Sequence, residues 1–184
     1  MFQKKEEERP DLQKYRKDFD VAALIYEMVQ LFKLKAAEKN INMVKNIASG
    51  LPKAVADRES IKQVFMNIIG NAIQFAPEGG FIDIAVSHIS ENPDFIQIEV
   101  TDNGIGIPTK DLEKIFDKFY QVKENRSKLK GAKGTGLGLY IVKKIIEMHG
   151  GKIWAKSILG EGASFIFTLP IKNIKIINYD KDAF

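Results

Sequence analysis

Arg58 to Phe75 reads RESIKQVFMNIIGNAIQF, and the rest of the chain is arranged around it. Ile61, Val64, Phe65, Ile68, Ile69 and Ala72 recur at spacings of three and four, which at 3.6 residues per turn places them along one face of an α-helix. That face has to be buried, so the helix requires other elements packed against it. Beside it, Gln63, Asn67, Asn71 and Gln74 form a second row that is polar but uncharged. Asparagine is a mediocre helix former because its amide competes for nearby backbone groups. Two asparagines one turn apart in mid-helix fit either solvent and neighbouring loops or a ligand, and the helix alone favours the former. Asp57 stands at the N-cap position, and Pro77-Glu78-Gly79-Gly80 ends the helix.

Outward from this helix, Phe81–Ile89 and Phe95–Thr101 alternate apolar and polar residues around Glu91-Asn92-Pro93-Asp94, the pattern of an antiparallel hairpin. His88 falls in its first strand and reads as a half-exposed strand residue. Upstream, Val21 to Glu38 sets Leu24, Ile25, Met28, Leu31, Phe32 and Leu34 at mostly helical spacing. Ile41–Ile47 and Ala54–Ala56 read as short strands flanking the turn Ser49-Gly50-Leu51-Pro52. Downstream, a third helix from Gly138 to His149 is expected to bury Leu139, Ile141, Val142, Ile145 and Ile146 and to stop at Gly150-Gly151, with His149 as a dipole-compatible C-terminal residue. Lys152–Ser157 and Ala163–Leu169 form a last hairpin around Gly160-Glu161-Gly162. Residues 1–18 read as a linker or the residual end of an upstream helix, 19–172 as one domain and 173–184 as a tail. The expected architecture is α+β, a two-layer α/β sandwich with three main helices on one face of a mixed, mostly antiparallel sheet.

A length of 184 residues at 45% apolar content suffices for a real core. No apolar run approaches the roughly 20 residues that span a bilayer, and the charged N-terminus has no signal-peptide pattern. The absence of cysteine removes disulfides and thiolate metal sites, and two histidines exclude a histidine-rich one. A cytoplasmic setting is compatible with this. The net charge of +4 is concentrated in Lys123–Lys133, which holds five basic residues and one acidic residue, so the remainder is neutral. That is one basic loop, suited to a phosphate-bearing small molecule, and not the stripe that nucleic acid requires.

Two glycine-rich stretches carry chemistry. Asp102-Asn103-Gly104-Ile105-Gly106-Ile107-Pro108 follows the second β-run. Alternate glycines there let backbone approach a flat ligand, and a buried carboxylate accepts a hydrogen bond from an exocyclic amine such as that of adenine. Lys133-Gly134-Thr135-Gly136-Leu137-Gly138-Leu139 opens the third helix, whose free N–H groups and dipole favour phosphate. Its spacing matches neither the Walker A loop nor the dinucleotide-binding fingerprint.

In order, NIIGNAIQF, DNGIGIP, IFDKFYQ, GTGLGLYIVKKIIEMHGG and GEGASFIFTLP resemble the ATP-binding catalytic domain of two-component sensor histidine kinases, with its Bergerat-type fold, across roughly Asp18 to Ile171. The resemblance implies ATP and Mg²⁺ as cofactors, and Asn67 as Mg²⁺ ligand and catalytic residue together with Lys133. It implies nucleotide contacts by Asn71 and Gln74 on the phosphate side, and by Asp102 on the adenine amino group with Gly104, Gly106 and Ile107 as pocket wall. Phe116, Phe119 and Tyr120 correspond to the aromatic anchor of an ATP lid. Lys123–Lys133, including Lys130, corresponds to the lid, and Gly134, Thr135, Gly136, Leu137 and Gly138 to its hinge and phosphate contacts. The implied reaction is transfer of the γ-phosphoryl group to a histidine on a separate dimerisation domain, with a response regulator downstream and neither nucleic acid nor membrane as partner. The chain shows no phospho-accepting histidine of its own.

Two positions depart from the family pattern: Gln74 stands where lysine is usual, and Gln121 where arginine is frequent. Both substitutions remove charge-assisted bonds to phosphate. The water-using ATPases of the same superfamily place glutamate where this chain has Gln63, which cannot act as a base. An anti-sigma-type serine kinase and a non-catalytic nucleotide-sensing or docking module stand as alternatives.

Overall fold

The computed structural model describes residues 15–122 and 134–173. The elements run β1 (Lys17–Phe19), α1 (Val21–Ala37), β2 (Asn42–Ile47), β3 (Ala54–Ala56), α2 (Arg58–Phe75), β4 (Phe81–His88), β5 (Phe95–Asp102), α3 (Gly138–Met148), β6 (Ile153–Ile158) and β7 (Gly162–Pro170). Helix α2 starts where expected, because Asp57 is extended and its carboxylate accepts the N–H groups of Glu59 and Ser60, both at 3.3 Å. It stops at Ala76, which turns extended ahead of Pro77, as the residue before proline is driven to do.

The sheet order is β2-β4-β5-β7-β6, with β2 parallel to β4 and every other pair antiparallel. All three helices cover one face, α2 in the middle touching both α1 and α3. The apolar stripe of α2 is fully buried, and Phe65 meets Phe167 of β7 edge to face, centroids 5.6 Å apart. Along β5 every second residue is buried, and Asp102 continues the phase of Ile96, Ile98 and Val100. A period of two therefore turns that carboxylate under the helices.

Four features differ from the sequence reading. Lys17 and Asp18, within the stretch read as linker, belong to β1, which pairs antiparallel with β3; three residues are too few to display an alternation. Leu31 and Leu34 are 54% and 80% exposed, because the buried stripe of α1 runs through Leu24, Ile25, Met28, Phe32 and Ala36. Leu139 and Ile141 are only half-buried. His149 is not a charged cap. It is wholly buried, its Nε2 accepts the Asp57 N–H at 3.1 Å and its Nδ1 donates to the Ile145 carbonyl at 2.7 Å. Burial lowers its pKa, against the pull of the Ile145 bond, and the imidazole is neutral. The cation at the end of α3 is Arg16, whose guanidinium donates to the Met148 carbonyl.

Gly70 lies in mid-α2 with nothing within 4 Å of where a Cβ would stand. Gly70→Ala is expected to stabilise the chain by about 0.5–1 kcal/mol, since glycine loses more backbone entropy in a helix. A urea midpoint that does not rise counts against this.

Candidate functional site

A cavity of about 320 Å³ lies where α2, the end of β5, the start of α3 and the inner residues of β7 converge. Of the polar row on α2, Asn67, Asn71 and Gln74 line it, and Gln63 faces solvent outside it. The Nδ2 of Asn67 donates to the Gln63 carbonyl at 3.0 Å, which commits the amide nitrogen and fixes the oxygen. A Cβ built on Gly138 would lie 2.9 Å from that oxygen, so the glycine lets the first turn of α3 close on Asn67. The two motifs that the sequence separates by some seventy positions thereby meet.

Asp102 lines the cavity from below at 5% exposure. Its Oδ1 accepts the Gly104 N–H at 2.8 Å. Burial pushes its pKa up to about 6, against the backbone bonds from Gly104 and Ala163 that favour the ionised form. A buried carboxylate with this little compensation is an acceptor suited to one more donor.

The glycines beside it pack closely against the protein itself. Gly104 does not line the cavity, and a Cβ there would come within 2.6 Å of the Phe75 carbonyl oxygen. Gly106 does line it, with φ at 70°, and its Cβ would sit 2.2 Å from the Ile158 carbonyl oxygen. A Cβ at Gly104 would also lie 2.6 Å from Asp102 Oδ1, so that glycine leaves room for the carboxylate as well as for backbone, and Gly106 leaves room for the Ile158 backbone. Asn103 accepts the Phe81 N–H on Oδ1 at 2.8 Å and so ties the motif to the start of β4. Ile107 lines the cavity and donates its N–H to Ser157 Oγ at 2.7 Å.

On the opposite side Tyr120 lines the cavity while its hydroxyl bonds the buried Asp111 carboxylate at 2.7 Å. Phe116 stands behind the cavity, edge to face with Phe165 at 6.5 Å. Phe119 presents its ring to solvent at 64% exposure and acts through its backbone, with φ at 64° and an N–H that donates to the Gly136 carbonyl at 2.9 Å. Gly136 in turn has φ at 72° and no room for a Cβ against the Phe119 backbone. Gln121 donates to the Gly134 carbonyl.

Gly134, Thr135, Gly136 and Gly138 form the mouth, and Leu137 does not line it. Lys130 and Lys133 lie outside the described residues. The sequence reading missed the apolar lining of Ile105, Ile115, Leu139, Ala163 and Phe165. Ala163 and Phe165 were signalled by the alternation of β7 and Leu139 by the helical spacing of α3, though as core and not as site; Ile105 and Ile115 come from irregular segments whose path no periodicity records. Among the described residues no cluster of three or more His, Cys, Asp or Glu could hold a metal.

A sequence profile described as "Histidine kinase-, DNA gyrase B-, and HSP90-like ATPase" matches residues 56–173. The sensor histidine kinase WalK of Bacillus subtilis is 41% identical over 144 residues, which are 78% of this chain and 23% of WalK. The catalytic domain of the histidine kinase ThkA, in a nucleotide-free crystal form, superposes with a TM-score of 0.71 at 35% identity over 84% of this chain and 95% of that domain. Full-length ShkA in complex with AMPPNP superposes with a TM-score of 0.73 at 30% identity, over 84% of this chain and 31% of ShkA.

Proposed function

We propose, from the premise that this chain belongs to the histidine kinase-, DNA gyrase B- and HSP90-like ATPase family and is a sensor histidine kinase catalytic domain, that it binds Mg-ATP in the cavity beneath α2 and donates the γ-phosphoryl group to a histidine on a separate dimerisation domain. One observation carries this reading: the same cavity is lined by a buried acceptor, Asp102, and by Asn67, whose amide oxygen lies against the first turn of α3. The first suits the exocyclic amine of adenine and the second suits phosphates. That ShkA carries AMPPNP, an ATP analogue, supports the ligand class. Because the chain spans 23% of WalK, acceptor histidine, response regulator and sensed signal belong to the proposal. No described helix is long and apolar enough to cross a membrane.

The donor set fits magnesium. Mg²⁺ dehydrates reluctantly and is usually held by one or two protein oxygens together with waters and substrate phosphates, not by an all-protein cage. Asn67 offers one oriented oxygen and the described residues offer no acidic cluster. Bound there, the metal would supply charge neutralisation across the phosphates. Asn71 and the loop from Gly134 to Gly138 would position the phosphate chain, and the charges of Lys130 and Lys133 would add to phosphate binding. Transfer rather than hydrolysis is favoured because Gln63 is outside the cavity and carries no carboxylate to activate water.

Titrating the chain with ATP, with and without Mg²⁺, and then adding a cognate dimerisation domain with γ-labelled ATP tests the reading. The expected results are Mg²⁺-dependent binding and acid-labile label on histidine. Label on serine would shift the reading to the anti-sigma class, and no ATP binding at millimolar concentration would end it. Gln74→Lys restores a cation at the cavity wall and is expected to tighten ATP binding about fivefold, charged hydrogen bonds being roughly twice as strong as neutral ones. Unchanged or weaker affinity by calorimetry would argue that this side chain does not reach phosphate.

A further inference from the structure

Lys39 follows α1 and carries its ammonium across to the last turn of α2. There it donates to the carbonyl oxygens of Ile73 at 2.8 Å, Gln74 at 3.2 Å and Ala76 at 2.6 Å. An ammonium has three N–H donors, so all of them are engaged within the protein. The last carbonyls of a helix lack intrahelical partners and carry the negative end of its dipole; Lys39 answers both needs from a different element. The tie runs in the other direction as well, since the Lys39 carbonyl accepts the Gly79 N–H at 2.8 Å.

The turn held this way faces the base of the cavity. Gln74 and Phe75 line it, and the Phe75 carbonyl abuts Gly104 so closely that a Cβ there would lie 2.6 Å from its oxygen. Gly104 in turn donates its N–H to Asp102 Oδ1 at 2.8 Å. A continuous line of contacts therefore leads from the ammonium, through the end of α2 and Gly104, to the carboxylate at the bottom of the cavity. We infer that Lys39 is a positioning residue for recognition of the nucleobase: it sets the last turn of α2, which through Phe75 and Gly104 fixes the orientation of the Asp102 carboxylate. This inference rests on the reading of the cavity as an adenine-nucleotide site. Lys39 belongs to none of the motifs that signal that site in the sequence, and it touches no part of the cavity's lining except through backbone.

The test compares affinities of the chain for ATP, GTP and inorganic tripolyphosphate in Mg²⁺, before and after Lys39→Met and Lys39→Arg. Lys39→Met is expected to weaken ATP about tenfold while tripolyphosphate changes by less than about twofold, within the range that residues outside a site exert through packed contacts. The preference for ATP over GTP narrows correspondingly. Lys39→Arg, whose guanidinium can still reach several carbonyls, is expected to restore most of the preference. Gly104→Ala, whose Cβ would lie 2.6 Å from both Asp102 Oδ1 and the Phe75 carbonyl oxygen, displaces the carboxylate directly and serves as the reference for the split that loss of Asp102 orientation produces. Should Lys39→Met fail to fold by near-ultraviolet circular dichroism, Lys39→Gln, which keeps two donors, takes its place. Equal losses for ATP and tripolyphosphate, or an ATP preference unmoved by the loss of the ammonium, would overturn the role of Lys39. If the unmodified chain bound no ATP, the nucleotide reading would fall first and this one with it. If it bound ATP through Asp102 but ignored Lys39, only this one would fall.

Discussion

Asp102→Asn is expected to lower the affinity of the chain for ATP by about two orders of magnitude and, in the same variant, to raise the stability of the nucleotide-free protein at neutral pH. The loss follows from hydrogen-bond polarity. A site built to accept from an exocyclic amine rejects its ligand strongly once the acceptor is exchanged for a donor, because buried groups on both sides are left unpaired. Asparagine retains an oxygen for the Gly104 N–H, which the carboxylate accepts at 2.8 Å, and offers an NH₂ donor where the carboxylate offered a second acceptor oxygen. The gain in stability follows from the burial of the carboxylate. Its pKa stands at about 6 against an ordinary 3.8, so between those values the folded chain holds a proton that the unfolded chain has released. Stability therefore falls as pH rises through that window, and the cost is fully present above pH 6. Removing the charge recovers about 1–3 kcal/mol at pH 7, each pKa unit corresponding to roughly 1.4 kcal/mol.

The same titration predicts that ATP binding by the unmodified chain weakens as pH falls below 6, by up to about tenfold per unit, and that the asparagine variant lacks this dependence. His149 acts in the opposite sense. Its pKa is lowered from 6.5 by burial, so its contribution to stability is present above pH 6.5 and is lost on acidification, in the parent and the variant alike. Thermal melts and calorimetry from pH 5 to 8 check both statements. An Asp102→Asn chain that binds ATP normally, or that is less stable at pH 7 than the parent, would show that this carboxylate neither reads the base nor bears a burial penalty.

The legible part of the molecule is the part written in periods. The 3.6-residue repeat of Ile61 to Ala72 and the twofold alternation of Phe95 to Thr101 both survive in the structure as α2 and β5, and the second even determines that Asp102 faces inward. The paired asparagines were legible as an anomaly, since nothing in helix physics asks for them. What was not legible are relations between distant segments. The neutral, buried state of His149 depends on the Asp57 backbone ninety-two positions away, and the reason for Gly104 depends on the Phe75 carbonyl. Spacing marked the glycines of that motif as places where backbone approaches a ligand, and the Phe75 and Asp102 oxygens that crowd Gly104 could not be read from it. Phe119 shows the same limit: an aromatic pair suggests two buried rings, whereas a positive φ turns this ring outward and leaves its N–H to hold Gly136.

Asn67→Ala is the variant expected to separate nucleotide binding from its dependence on magnesium. The amide oxygen is oriented by a bond that its own nitrogen makes to the Gln63 carbonyl, 3.0 Å away, and it faces the first turn of α3 across Gly138. Truncation removes the only metal ligand we propose from the protein while leaving Asp102 in place. ATP is therefore expected to bind with an affinity close to that of the parent measured without Mg²⁺, and phosphoryl transfer to fall by about 10²–10³, the usual cost of removing one oriented group from a charge-stabilising site. Asn67→Asp is the sharper variant. Aspartate is the better magnesium ligand in isolation, yet here one carboxylate oxygen would take the place of the nitrogen and stand against the Gln63 carbonyl, an acceptor facing an acceptor. The carboxylate must then rotate or take up a proton, and the remaining charge opposes the triphosphate. We expect Asn67→Asp to rescue neither Mg²⁺-dependent binding nor transfer, and Gln63→Ala to leave both intact, because the group that orients Asn67 is backbone. An Asn67→Ala chain in which Mg²⁺ still strengthens ATP binding as it does in the parent would place the metal elsewhere and remove the reason offered for an asparagine at this point of α2.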